Sequence, residues 1–215
     1  MSNNIKAIIF DRDWVIIDSE RVNIFCTTEI LKGYNIEISE TDKKFLIGRS
    51  IDDCKDYFLG KYNFNRDEFV VNRREFSLPY LDEAPLYQDT IETIISLYNT
   101  WFTLALCTSA WRATTLKVLE RAKILDYFKV IVCKEDVVKR KPDPESYLKT
   151  LEKLWLEANE CIVIEDSVNG LQASTSAGIK TIIIPNEYTK DQNFSWANMV
   201  ISTPKDITIE LINNL

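Results

Sequence analysis

The chain has 215 residues, 46% of them hydrophobic, a formal net charge of −7 and no histidine. That length and apolar content suit one large α/β domain, or a core with a modest insert, and exclude a disordered chain. The acidic balance argues against a general nucleic-acid binder, which needs clustered Lys and Arg, and the missing histidine removes Ser-His and Cys-His triads and the common zinc sites.

Carboxylates, lysine and hydroxyls are left to carry any chemistry. No segment approaches the roughly 20 consecutive apolar residues that a membrane span needs. The start Met1-Ser2-Asn3-Asn4 lacks the basic-then-apolar pattern of a signal peptide, so a cytoplasmic location is expected. Cys26, Cys54, Cys107, Cys133 and Cys161 are odd in number and show no CxxC spacing, which favours buried free thiols over a zinc site or a disulfide.

In chain order, the first element organises the rest. Ala7 to Phe10 is a short apolar run bounded by charge, which predicts a strand buried on both faces, and Asp11-Arg12-Asp13 follows directly. Ligands of an open parallel sheet bind outside the carboxyl ends of its strands. An Asp-x-Asp pair there can hold a divalent cation and present one oxygen as a nucleophile. A loop or a helix cap is the alternative for this segment alone.

From Glu20 to about Tyr80, apolar residues such as Val22, Phe25, Ile30, Leu31 and Phe69 recur near a helical period. Breaks at Gly33-Tyr34-Asn35, at Gly48 and over 60–65 divide the stretch into several helices without a strand. It is long for a single crossover, so an inserted helical domain is expected, with helices lying on the sheet as the alternative.

Beyond Pro85 the chain alternates. Helices are expected at 90–97, 114–122, 145–155 and 168–177, strands at 102–107, 130–133, 161–164, 181–184 and 199–201, and a last helix from about Lys205. Such alternation implies right-handed βαβ units and a doubly wound parallel sheet. Gly178 is placed as a helix C-cap.

Three further polar groups follow predicted strands. Thr108-Ser109 offers a hydroxyl and free backbone N–H groups that can hold a phosphate oxygen, or else merely cap a helix. Lys141 sits in a loop stiffened by Pro142 and Pro144; it can stand over a dianion, or belong to a solvated basic cluster. Glu165-Asp166-Ser167 ends a buried run with two acids, which are costly there unless a cation or donors compensate them. Ser167 can equally be a plain helix cap.

Taken together, the strings Ile8-Ile9-Phe10-Asp11-Arg12-Asp13, Val15-Ile16-Ile17-Asp18-Ser19-Glu20, Leu106-Cys107-Thr108-Ser109, Lys141-Pro142-Asp143-Pro144 and Ile164-Glu165-Asp166-Ser167 with Gly170 span nearly the whole chain. In them the chain resembles the haloacid dehalogenase superfamily, and most of all its β-phosphoglucomutase and sugar-phosphatase branch. The resemblance implies a Rossmann-like α/β core from residues 1–15 and 83–215, with 16–82 as a helical cap. It also implies phosphoryl transfer to Asp11, with Asp13 as general acid and base, and phosphate held by Thr108, Ser109 and Lys141. Mg²⁺ would be held by Asp11, the backbone carbonyl of Asp13, Asp166 and, through water, Glu165. An acid at position 13 favours phosphorus over carbon as the atom attacked. The expected partner is a small phosphate ester, with neither nucleic acid nor membrane, on a monomer or small homo-oligomer whose substrate choice lies mainly in the cap.

Three positions depart from or extend the pattern. Trp14 stands where the family has glycine, so either the loop is reshaped with the indole over the pocket or the site is impaired. Asn23 stands where the mutase branch tends to carry a histidine, which favours a phosphatase over a mutase. Arg49-Ser50 after Gly48 resembles a cap loop, and Arg49 is a candidate substrate contact. The rival readings are a β-phosphoglucomutase-like isomerase and a binding protein with a degenerate site.

Overall fold

A computed structural model describes residues 4–46 and 56–215. Six strands form one parallel sheet in the order β3-β2-β1-β4-β5-β6. They are β1 (Ala7–Phe10), β2 (Thr103–Cys107), β3 (Phe128–Val132), β4 (Cys161–Glu165), β5 (Lys180–Ile183) and β6 (Met199–Val200). The doubly wound fold class expected from the alternation is the one observed. Its switch point falls beside β1, because the chain goes from β1 to β2 and β3 on one side and returns to β4 on the other.

Every residue of β1 is buried, as its unbroken apolar run requires. Phe10 pairs with Leu106 of β2 and with Ile164 of β4, so Asp11 comes level with Cys107 and Glu165 at one edge of the sheet. On one face Ile9, Ala105, Val130 and Val163 pack with Tyr147 and Leu151 of the helix Glu145–Leu154 and Ala173 of the helix Val168–Ser176. The latter helix ends as expected at Gly178, whose φ of +79° lets its N–H reach Thr175 O while Ile179 N reaches Ser174 O.

Several boundaries differ from expectation by a few residues, two of them for visible reasons. β3 begins at Phe128, two residues early, because this outer strand alternates buried Phe128, Val130 and Val132 with exposed Lys129 instead of running apolar throughout. At the C-terminus, Pro204–Asp206 forms a 3-10 turn, and the last helix starts only at Ile209, where Thr208 caps it through Leu211 N.

The chain divides into two compact units, Met1–Ile17 with Leu86–Leu215, and Asp18–Pro85. The first break follows Ile17, which bridges both Asp13 and Leu86, while Ile16 O accepts from Tyr87 N at 3.0 Å. The second unit holds the helices Glu20–Gly33, Glu40–Leu46 and Arg66–Tyr80 and a helical turn at 56–59, with no strand among its described residues. Leu31, Ile36, Leu46, Phe58 and Phe69 form its own core. Asn65 starts the third helix by accepting from Asp67 N and Glu68 N.

Among the described residues no helix is long and apolar enough to cross a membrane. Cys26, Cys107, Cys133 and Cys161 are buried free thiols.

Candidate active site

The carboxyl ends of β1, β2 and β4 meet at one ammonium group. Lys141 Nζ donates to Asp11 Oδ1 at 2.6 Å, to Glu165 Oε1 at 2.7 Å and to Cys107 O at 2.9 Å, which uses all three of its protons. The loop after Asp136 delivers the lysine there, with the Lys141–Pro142 bond cis. Its Nζ also lies 4.7 Å from the centre of the Tyr147 ring. Thr108 is buried at the end of β2; its Oγ1 accepts from Ala110 N at 3.1 Å, and half-buried Ser109 follows it.

Glu165 is held from both sides. Both of its oxygens are occupied by protein donors: Lys141 Nζ and Tyr147 Oη (2.9 Å) on Oε1, Asp166 N (3.1 Å) and Ser167 Oγ (3.2 Å) on Oε2. It therefore braces the lysine. Asp166 is buried and accepts from Asn186 Nδ2 at 2.7 Å. Asp13 keeps a third of its side chain exposed and accepts from Arg12 at 2.6 Å. Arg49 lies outside the described residues.

The electrostatics are those of acids crowded around too few cations. Burial pushes Asp11 up to about 7, with Lys141 opposing and the Glu165 and Asp13 charges adding to the rise. Burial, then Glu165 and Asp11, hold Asp166 well above the usual carboxylate range. Burial alone would lower Lys141, but Asp11 and Glu165 outweigh it and keep the ammonium charged. A divalent cation between Asp11 and Asp166 would relieve this repulsion, so the donor set suits a hard ion. Among the described residues no three acids or cysteines form a ready cage. Mg²⁺ does not need one, since it commonly takes one or two carboxylates and completes its shell with water and substrate phosphate.

Several residues were not legible beforehand. Tyr147 is fully buried in the first turn of its helix, and only the partner it meets marks it out. Asn186 follows β5, and its place at the same sheet edge as the other groups was the available signal. Arg12 is buried, with its guanidinium on Asp13, Thr114 and Thr115. Trp14 adopts the left-handed φ of 60° that a glycine would take, and its ring packs 4.7 Å from Tyr188 and 6.3 Å from Tyr87. The backbone here thus keeps the left-handed geometry that glycine favours, and the loop is not reshaped to accommodate the indole. In the helical unit, Asn23 Oδ1 accepts from Arg73 at 2.6 Å.

The sheet order and the acids gathered about one lysine define an α/β protein of the haloacid dehalogenase type. The sequence profile of the haloacid dehalogenase-like hydrolases matches residues 8–184, and the chain belongs to that family of hydrolases. It is 30% identical over 184 residues to a phosphorylated carbohydrates phosphatase of Thermotoga maritima, covering 82% of this chain and 83% of that one. It is 27% identical over 210 residues to hexitol phosphatase B of Escherichia coli O157:H7, covering 95% of each. In fold it resembles CbbY from Rhodobacter sphaeroides, solved in complex with phosphate, with a TM-score of 0.88 at 20% identity over 98% of this chain and all of that one.

Proposed function

We propose that the chain is a Mg²⁺-dependent phosphatase of small phosphorylated metabolites, sugar phosphates foremost, working through an aspartyl-phosphate on Asp11. The observation that carries this reading is the placement of Asp11 between Lys141 and the acidic end of β4, beside the Thr108 turn. The names of the relatives at 27% and 30% identity, a hexitol phosphatase and a phosphatase of phosphorylated carbohydrates, support the substrate class.

An oxygen of Asp11 attacks phosphorus in line while the bond to the leaving oxygen breaks, and Asp13 gives that oxygen its proton. In the second half-reaction water attacks the phosphorus, its proton passes to Asp13, and inorganic phosphate leaves with Asp11 regenerated. The Thr108 hydroxyl accepts from Ala110 N, which leaves its own proton to donate to a nonbridging oxygen. The Ser109 N–H and the Lys141 ammonium act on the same oxygens. Asp11 and Asp166 would hold Mg²⁺, which would supply positive charge against the anionic carboxylates and phosphoryl group.

The test is release of inorganic phosphate from 4-nitrophenyl phosphate and a panel of sugar phosphates in Mg²⁺. Wild type is expected to turn over, and Asp11→Asn to be inactive. Wild-type-like turnover by Asp11→Asn refutes the nucleophile assignment. A hexose 1-phosphate that yields the 6-phosphate instead of free phosphate points to mutase chemistry. Inactivity over the whole panel leaves only a binding protein.

A further inference from the structure

Arg12 has no part in the mechanism above, yet it is only 5% exposed and stands in sequence between Asp11 and Asp13. Its NH1 donates to Thr114 Oγ1 at 3.1 Å and to Thr115 Oγ1 at 3.4 Å, while its NH2 donates to Asp13 Oδ1 at 2.6 Å. Both threonine hydroxyls give their protons to Trp111 O, at 2.8 Å and 2.9 Å, so each is oriented with a lone pair free for the guanidinium. The helix Arg112–Arg121 thereby fixes the arginine, and the arginine fixes the aspartate.

Stability is a poor explanation for this arrangement. The Arg12 Nε is buried without a hydrogen-bond partner among the described residues, and a buried guanidinium with an unmet donor costs more than an apolar side chain of the same length.

We propose that Arg12 is a positioning residue for the acid–base carboxylate, holding Asp13 by Oδ1 so that Oδ2 is presented to the leaving oxygen. This inference rests on the phosphatase reading. A planar guanidinium with one arm on two hydroxyls and the other on a carboxylate removes the rotation that would otherwise let Asp13 swing out of line.

The test exploits the leaving group. An alkyl phosphate needs its departing oxygen protonated, whereas 4-nitrophenolate leaves without help, so only the first should suffer when the acid is misplaced. Arg12→Met is expected to lower kcat/KM for a hexose 6-phosphate by about 10- to 100-fold. Its kcat/KM for 4-nitrophenyl phosphate is expected to change less than about threefold, with the thermal midpoint unchanged or raised. Thr114→Val, which keeps the shape and removes the anchor, should show the same selective loss to a smaller degree, and Thr114→Ser should restore it. These threonine variants decide the matter if Arg12→Met does not fold. Equal losses on both esters, or no loss on the hexose ester, overturn the proposal while leaving the phosphatase reading intact. A wild type that hydrolyses neither ester overturns both.

Discussion

Gly170 faces the carboxyl group of Glu165 so closely that a Cβ on it would lie 1.9 Å from both Cδ and Oε1. Glycine inside a helix ordinarily costs about 1 kcal/mol relative to alanine, so Gly170→Ala would normally stabilise. Here the helix Val168–Ser176 must leave room for a fully engaged carboxylate, and the sign reverses. Gly170→Ala is expected to destabilise the protein by about 1–3 kcal/mol in denaturant titration, through displaced neighbours. It should also lower phosphate release, because Glu165 can no longer brace Lys141. A variant as stable and as active as wild type would show that Glu165 has another place to go.

Lys141 carries the heaviest electrostatic role in the core unit. Lys141→Met leaves Asp11 and Glu165 buried side by side with no cation between them. The expected loss is about 3–5 kcal/mol of stability, together with turnover, since Asp11 is driven further toward its protonated form. Lys141→Arg is expected not to rescue turnover, because three acceptors within 2.9 Å surround a compact ammonium and not a planar fork. Thermal melting and phosphate release of the two variants check both points.

Trp14 separates backbone strain from ring packing. At φ 60° any residue with a Cβ pays for the left-handed conformation, and glycine does not. Trp14→Ala loses the contacts with Tyr188 and Tyr87 and keeps the strain, whereas Trp14→Gly loses both. The glycine variant is expected to be the more stable of the two by about 1 kcal/mol. An alanine variant more stable than the glycine one would mean that position 14 leaves the left-handed region once the ring is gone.

Asp42 ties the helical unit together and gives it a pH dependence. Hydrogen bonds from Lys61, then Ser39, hold its carboxyl below the usual carboxylate range, with Tyr57 adding a third donor. Ser39 Oγ in turn accepts from Asp42 N, a reciprocal cap at the start of Glu40–Leu46. Because the folded-state value is lowered, the stability this group contributes is fully present above its unfolded value of about 3.9 and is lost as pH falls through the folded one. Asp42→Asn should therefore melt lower than wild type at pH 7, with the gap closing below about pH 4. A gap of the same size at pH 2 as at pH 7 would assign it to packing.

The strand ends were legible because each is a short apolar run stopped by a polar residue, and a parallel sheet places all such stops at one edge. From that rule Asp11, Thr108 and Glu165 could be grouped before any coordinates, although they lie far apart in the chain. Lys141 was harder, since a basic loop reads the same whether it is solvated or buried.

Local pattern thus determined the α/β class, the helical insert, the Gly178 cap and the candidates for chemistry, because periodicity, caps and turn residues act over a few neighbours. Which side chains meet is a matter of register and helix placement. That Glu165 braces a lysine, that Asn186 holds Asp166, and that Arg12 reaches from one aspartate to a helix a hundred residues away were decided only by the packed sheet, whose neighbouring strands are distant in sequence. Burial then turned ordinary acids into coupled ones, since a carboxylate's charge is set by what surrounds it and not by its place in the chain.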